Sequence, residues 1–276
     1  VKDLSICTGG LRLYDIVIGD ILNIDLPKDK YRACVTSPPY FGLRSYGENE
    51  DEIGKDQTLD EYIQSLVEVF RKVRDSLTDD GTLWLNMGDC YNGSGGAGSD
   101  YKEGGRKATR NKWGSRSVDG IAAKNLLGVG WRLALALQAD GWILRSEIIW
   151  NKSKAYPQPE AYIKRPIPRH ETIFMLAKNP QYHYVPDNLF TVWDMTPVSK
   201  SGHEAPFPLD LPMKCILAST DEGDWVLDPF AGSGTTAVAC ELANRNSTMC
   251  EIYEDVARRM GERLEALPKK NDNEWL

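Results

Sequence analysis

The chain has 276 residues, 41% of them hydrophobic, and a formal net charge of −7; that length buries a full core and suits one large α/β domain with inserted loops. The negative balance argues against a protein that coats nucleic acid indiscriminately, because such affinity comes mostly from neutralised phosphates. Six cysteines without a Cys-x-x-Cys pair and three histidines give no zinc or disulfide framework, and no apolar leader or membrane-length apolar run is present, so a soluble protein of a reducing cytoplasm is expected.

The chain opens with short apolar stretches that end in polar residues. Ile16-Val17-Ile18 runs into Gly19-Asp20, and Ala33-Cys34-Val35 runs into Thr36-Ser37-Pro38-Pro39. Buried parallel strands read this way when their carboxyl ends carry a site. Thr58 and Glu61 form a capping box, after which Leu59, Tyr62, Ile63, Leu66, Phe70, Val73 and Leu77 keep helical spacing as far as Gly81. A strand over residues 82–86 then leads to Gly88-Asp89.

Residues 92–120 hold eight glycines and a basic cluster from Lys102 to Arg116, so no buried element is expected there and 92–125 reads as an inserted surface loop. Helical spacing resumes at Val129 and stops at Gly141. Strands are predicted at 142–150 and 172–177, separated by a proline-rich stretch carrying Lys152, Lys154, Lys164, Arg165 and Arg169. Residues 178–202 read as a second irregular insertion. A strand at 225–227, a glycine turn, a helix at 235–244, a strand at 248–251 and a helix at 255–267 complete the pattern. Strand–helix alternation at both ends predicts a mostly parallel sheet covered on both faces, within a single domain over 1–276.

The glycine turn, Gly232-Ser233-Gly234-Thr235-Thr236-Ala237, follows a predicted strand and opens a helix. Glycine lets backbone approach a ligand closely, and the first helical amides point at it. Glu251 falls at the end of the next strand, where a carboxylate can accept both hydroxyls of a ribose. The pattern alone fits a nicotinamide or flavin dinucleotide as well as another nucleoside. Too few residues follow Glu251 for the second mononucleotide half of a dinucleotide site. No Gly-Lys-[Ser/Thr] follows the glycines either, which removes a phosphate-binding P-loop.

Ser37-Pro38-Pro39-Tyr40 also follows a strand. Two prolines remove two backbone donors and stiffen the turn, leaving carbonyls free to accept. The Ser37 hydroxyl and the Pro38 carbonyl can then take the two hydrogens of one NH₂ group while Tyr40 offers a flat face for stacking. Two acceptors on an aromatic amine favour the form whose lone pair is localised and able to attack a methyl group in line.

With these motifs the chain resembles the S-adenosylmethionine-dependent amino-methyltransferases of DNA, in the beta group whose catalytic motif precedes the cofactor motif. Thr36-Ser37-Pro38-Pro39-Tyr40 is similar to that group's catalytic motif in its serine form, usual for cytosine N4. Asp228-Pro229-Phe230-Ala231-Gly232-Ser233-Gly234-Thr235-Thr236 is similar to its cofactor loop. His203-Glu-Ala-Pro206-Phe207 resembles the segment beside the methionine part. Asp20 resembles the acidic residue near the adenine, and Glu251, followed by Ile252 and Tyr253, the ribose-binding one. The segment His170-Glu-Thr-Ile-Phe174 also resembles the group.

The resemblance implies a Rossmann-like α/β fold with circularly permuted motif order, S-adenosyl-L-methionine as cofactor, and DNA as partner, with a cognate restriction endonuclease as a second candidate partner. It implies methylation of the N4 amine of a flipped-out cytosine; adenine N6 methylation is the alternative, and a non-catalytic DNA-binding protein of the same fold the alternative of another class. None of the cysteines follows a proline, so the covalent ring-carbon route is not expected. Asp89 is a candidate proton acceptor or partner of Ser37, or equally a helix cap. Arg44, Lys152, Lys154, Lys164, Arg165 and Arg169 are candidate phosphate contacts, with 92–125 and 178–202 as candidate target-recognition segments. Trp113, Tyr156 and Tyr162 are candidate wedges. His170 and His203 read as structural.

Overall fold

A computed structural model describes residues 2–6, 13–41, 53–54, 56–93, 118–152, 164–185, 190–198 and 207–268. The elements in chain order are β1 (Lys2–Ile6), β2 (Tyr14–Ile18), β3 (Tyr31–Thr36), α1 (Leu59–Ser76), β4 (Leu77–Met87), α2 (Val129–Ala139), β5 (Ile143–Asn151), β6 (His170–Ala177), β7 (Val192–Asp194), α3 (Asp210–Ser219), β8 (Trp225–Asp228), α4 (Thr235–Leu242), β9 (Asn246–Glu251) and α5 (Glu254–Glu265).

One sheet carries nine strands among the described residues, in the order β1-β2-β9-β8-β3-β4-β6-β5-β7. Seven run in one direction. β1 is antiparallel to β2, and β6 enters antiparallel between β4 and β5. The expected mostly parallel sheet is therefore present with one internal reversal. A parallel pair needs a crossover connection, whereas an antiparallel pair such as β5 and β6 does not.

Strand alternation divides the core. Cys34, Leu83 and Leu85 face one layer with α1 and α2, while Val35 and Trp84 face the opposite layer with α3 and α4. Ile16, Ile18 and Met249 pack beneath α5. Helix α1 starts on the predicted capping box: the Glu61 N–H donates to Thr58 Oγ1 at 3.3 Å, and the Thr58 N–H donates to Glu61 Oε2 at 2.8 Å.

Four elements depart from the sequence expectation. Helix α1 stops at Ser76, not near Gly81, and Leu77 already pairs with Tyr31. The next pair is Ala33 with Thr82, so Arg32 of β3 alone opposes the four residues 78–81 of β4 in an irregularity that holds Gly81. Strand β1, helix α3 and the short strand β7 lie in segments where no element was predicted; β1 adds beside β2 and β7 at the outer edge beside β5.

Neighbouring β3 and β8 are parallel, so the turns that follow them open at the same sheet edge. Asp228, at the end of β8, joins them. Thr36 Oγ1 donates to its Oδ1 at 2.7 Å, Thr236 Oγ1 to its Oδ2 at 2.7 Å, and the Phe230 N–H to Oδ1 at 3.1 Å. Asp228 is buried, and desolvation pushes its carboxyl up to about 6, with these three hydrogen bonds opposing the shift.

Helix α2 sits against β4 and β6 through Gly130, where a Cβ would lie 3.1 Å from Phe174 Cε2 and 3.2 Å from Met87 Cβ. A Gly130→Leu variant is expected to lose about 1–3 kcal/mol of stability by overpacking this contact, measured by urea denaturation; an unchanged midpoint would refute the close approach. A raised native carboxyl means that the folded state holds its proton to higher pH than the unfolded state. The stability contribution of Asp228 is therefore full below the ordinary carboxylate range and is lost as pH rises through about 6. Between pH 4 and 7 the wild type should lose roughly 2–3 kcal/mol relative to Asp228→Asn; parallel denaturation profiles for the two proteins would contradict this.

Candidate active site

The carboxyl ends of β2, β9, β8, β3 and β4 form a continuous edge that carries Asp20, Glu251, Asp228, Ser37 and Asn86 in that order. Because β6 is reversed, its first residues His170 and Glu171 reach this same edge, as does Lys152 at the end of β5. The two sequence motifs, 192 residues apart at Thr36 and Asp228, thus meet on one side of the molecule.

The turn from β8 to α4 is shaped by backbone that side chains rarely tolerate. Gly232 has φ +52 and Gly234 φ +76. A Cβ on Gly234 would collide with Met260 of α5, so this glycine admits the helix that backs the turn. Gly232 faces open space, with nothing within 4 Å of a Cβ built there. The Ala231 N–H donates to the Cys250 carbonyl at 2.9 Å, and Arg263 Nη1 donates to the Ser233 carbonyl at 2.8 Å, fixing the turn against β9 and α5.

Glu251 holds the turn from the other side. Its Oε2 accepts from the Gly232 N–H at 2.9 Å and its Oε1 from the Tyr253 N–H at 3.0 Å. Burial raises its carboxyl above the usual range, with backbone N–H groups at Tyr253, Gly232 and Ile252 opposing. The Gly19 N–H donates to the Glu251 carbonyl at 2.9 Å, which brings Asp20 alongside. Asp20 itself caps a single 3-10 turn, accepting from the Leu22 N–H at 3.0 Å. Pro229, Thr235 and half-buried Phe230 complete this part of the edge, and Phe207 packs on the α3 layer.

The Ser37–Tyr40 turn is held by hydrogen bonds instead. Tyr62 of α1 donates to the Pro39 carbonyl at 2.7 Å, while the Pro38 carbonyl accepts no hydrogen bond among the described residues. Gly88 lies under the Tyr40 ring, where a Cβ would stand 2.6 Å from Cε2. Ser37 Oγ donates to the Tyr40 hydroxyl at 3.2 Å, and that hydroxyl donates to Glu171 Oε2 at 2.8 Å. Asn86 Nδ2 donates to both, at 2.9 Å each. Lys152 Nζ forms an ion pair with Glu171 Oε1.

The remaining candidate residues lie in different surroundings. Asp89 is in the capping arrangement: its Oδ1 accepts from the Cys90 and Val129 N–H groups and its Oδ2 from that of Gly128, at the start of α2. It makes no hydrogen bond to Ser37. Lys152 is engaged inside the edge by Glu171. Lys164, Arg165 and Arg169 are exposed, with the Arg165 guanidinium 3.8 Å from the Tyr91 ring centroid. Arg44, Lys154, His203, Pro206, Trp113, Tyr156 and Tyr162 lie outside the described residues. Sequence reasoning missed Asn86 and Glu171. The available signal was a polar residue at the edge end of each strand, next to an apolar run.

A family profile described as DNA methylase matches residues 31–262. The chain is 41% identical over 271 residues to the Type II methyltransferase M.SmaI of Serratia marcescens, covering 92% of this chain and 91% of that protein. It is 42% identical over 259 residues to the Type II methyltransferase M.Cfr9I of Citrobacter freundii, covering 87% and 84%. Among solved structures, the fold is similar to PvuII DNA methyltransferase (cytosine-N4-specific), with a TM-score of 0.69 at 19% identity over 94% of this chain and 88% of that one. It is also similar to a putative DNA modification methylase from Thermus thermophilus, solved in complex with S-adenosyl-L-methionine, with a TM-score of 0.62 at 24% identity over 90% and 91%. The family match spans most of the chain and the two bacterial relatives match it nearly end to end: the protein belongs to the DNA methylase family.

Proposed function

We propose that this protein is a Type II DNA methyltransferase that moves a methyl group from S-adenosyl-L-methionine to the exocyclic N4 amine of a cytosine extruded from DNA. The observation that carries this reading is the Asp228 clasp, which holds the glycine turn and the Ser37–Tyr40 turn at one edge. Serine at position 37 and the fold likeness to a cytosine-N4-specific enzyme support cytosine.

The edge fits the cofactor on two local grounds. Gly232 leaves room for backbone to meet a ligand, and the backbone partners of Glu251 leave part of its acceptor capacity unused for ribose hydroxyls. Asp20 would meet the adenine, and the turn from Asp228 to Thr236 the remainder, with Phe230 and Phe207 near the positive sulfur. When bound, the cofactor supplies an electrophilic methyl group on a cationic sulfur. Ser37 and the Pro38 carbonyl hold the amine, and the Tyr40 ring, backed by Gly88, stacks on the base. Exposed Lys164 and Arg169 suit phosphate contact. The Type II relatives support a cognate restriction endonuclease as the biological counterpart.

DNA from cells expressing the protein, digested to nucleosides and analysed by mass, should contain N4-methylcytosine. N6-methyladenine as the main product would replace the cytosine reading, and the lack of any transferred label from S-adenosyl-L-methionine would favour a non-catalytic DNA-binding protein. Ser37→Ala should lower kcat about 100-fold or more while leaving the cofactor Kd within a few-fold, because it removes an acceptor used during transfer. Equal losses in kcat and cofactor affinity would instead assign Ser37 to the cofactor.

A further inference from the structure

Among the described residues the Tyr40 hydroxyl meets two donors, Ser37 and Asn86, and one acceptor, Glu171, as many partners as a phenol hydroxyl can take. This filling fixes the direction of every proton. Glu171, paired with Lys152, only accepts, so the Tyr40 proton must point at it. The two lone pairs of Tyr40 are then taken by the Ser37 hydroxyl and the Asn86 amide. Ser37 has spent its proton inward and presents lone pairs to the pocket. A directed chain runs from Ser37 Oγ through Tyr40 Oη to Glu171 Oε2, with steps of 3.2 and 2.8 Å.

We propose that this chain is a proton relay and that Glu171 is the final acceptor for the proton released by the methylated amine. The inference rests on the amine-methylation reading above. In the transfer, the nitrogen lone pair forms the N–CH₃ bond while the electrons of the S–CH₃ bond stay on sulfur. The nitrogen is left with a surplus proton and a positive charge. That proton passes to Ser37 Oγ as the Ser37 proton passes to Tyr40 Oη and the Tyr40 proton to Glu171 Oε2. The base ends neutral, Glu171 ends protonated, and Ser37 and Tyr40 each keep one proton with their hydrogen bonds reversed. A methylated aromatic amine in this state is a strong acid, so the proton moves readily to an acceptor at the end of the chain.

Glu171 is well placed for this role and Asp89 is not. Among the described residues, three groups face Glu171: Lys152 from the end of β5, Asn86 from β4, and Tyr40 from the turn after β3. Its chain neighbours His170 and Arg169 are exposed. Asp89 has both oxygens on backbone N–H groups at the start of α2. Asn86 has a second signature of a site built around donors from outside. It is buried, and its Oδ1 has no hydrogen-bond partner among the described residues.

The test compares wild type with Glu171→Gln, which keeps an acceptor oxygen but takes no proton, and with Tyr40→Phe, which keeps the ring but cuts the chain. Single-turnover methyl transfer to DNA is measured against pH, and the titration of ¹³C-labelled Glu171 is followed by NMR in the protein alone. The wild-type rate should fall on the acid side at the pH where the Glu171 signal titrates. Both variants should be slowed about 100-fold or more and lose that acid limb, with cofactor Kd and melting temperature near those of wild type. Variants that keep the wild-type rate, or are slowed with the limb intact, would overturn the relay, as would an acid limb more than a pH unit from the Glu171 titration. A wild type that methylates no DNA amine would overturn both the relay and the reading beneath it, whereas an active wild type matched by Glu171→Gln would overturn the relay alone.

Discussion

A single buried carboxylate determines whether this molecule has one site or two unrelated loops. Asp228 lies at the end of a strand beside β3, and its two oxygens accept hydrogen bonds from threonine hydroxyls of the two turns' flanks, Thr36 and Thr236. Burying a charge without a cation costs free energy, and three donors offset part of that cost. Desolvation still leaves the carboxyl raised. The clasp works because β3 and β8 are adjacent and parallel, so a short side chain spans the gap between turns that are far apart in the chain.

Around that clasp the two halves of the edge are stiffened by different physics. The glycine turn depends on steric permission: positive φ at Gly232 and Gly234, and helix α5 pressed against a position that has no side chain. The Ser37–Tyr40 turn depends on donors and acceptors drawn from α1, β4 and β6. The first half suits a ligand met mainly by backbone. The second suits one that must be gripped at a polar group and have a proton managed.

Local signals were the legible ones. The capping box at Thr58 and Glu61, the stop at Gly141 and the strand–turn–helix around Gly232 each depend on residues close in sequence, and each lies where it was expected. What escaped was register. The end of α1 was read too far because Leu77 continues the helical spacing, yet pairing with Tyr31 claims it for β4. The reversal of β6 was invisible because strand direction leaves no mark on composition, and with it went the arrival of Glu171 beside Tyr40, 131 residues away in the chain. Asp89 illustrates the opposite hazard. Its place after a strand allowed two readings, and only the Gly128 and Val129 amides, distant in sequence, distinguish them.

The same reversal has a geometric corollary for the connection between β5 and β6. Its two feet are stitched together, since the Lys152 N–H donates to the Arg169 carbonyl at 2.9 Å, and the Lys152–Glu171 ion pair clamps the same spot from the side-chain level. The junction of the two strands is thus held at backbone and side-chain level at once, beside the Tyr40–Glu171 contact. Sequence changes between these two feet need not touch that mounting, so charge can be gained or lost there while the polar cluster beneath stays fixed.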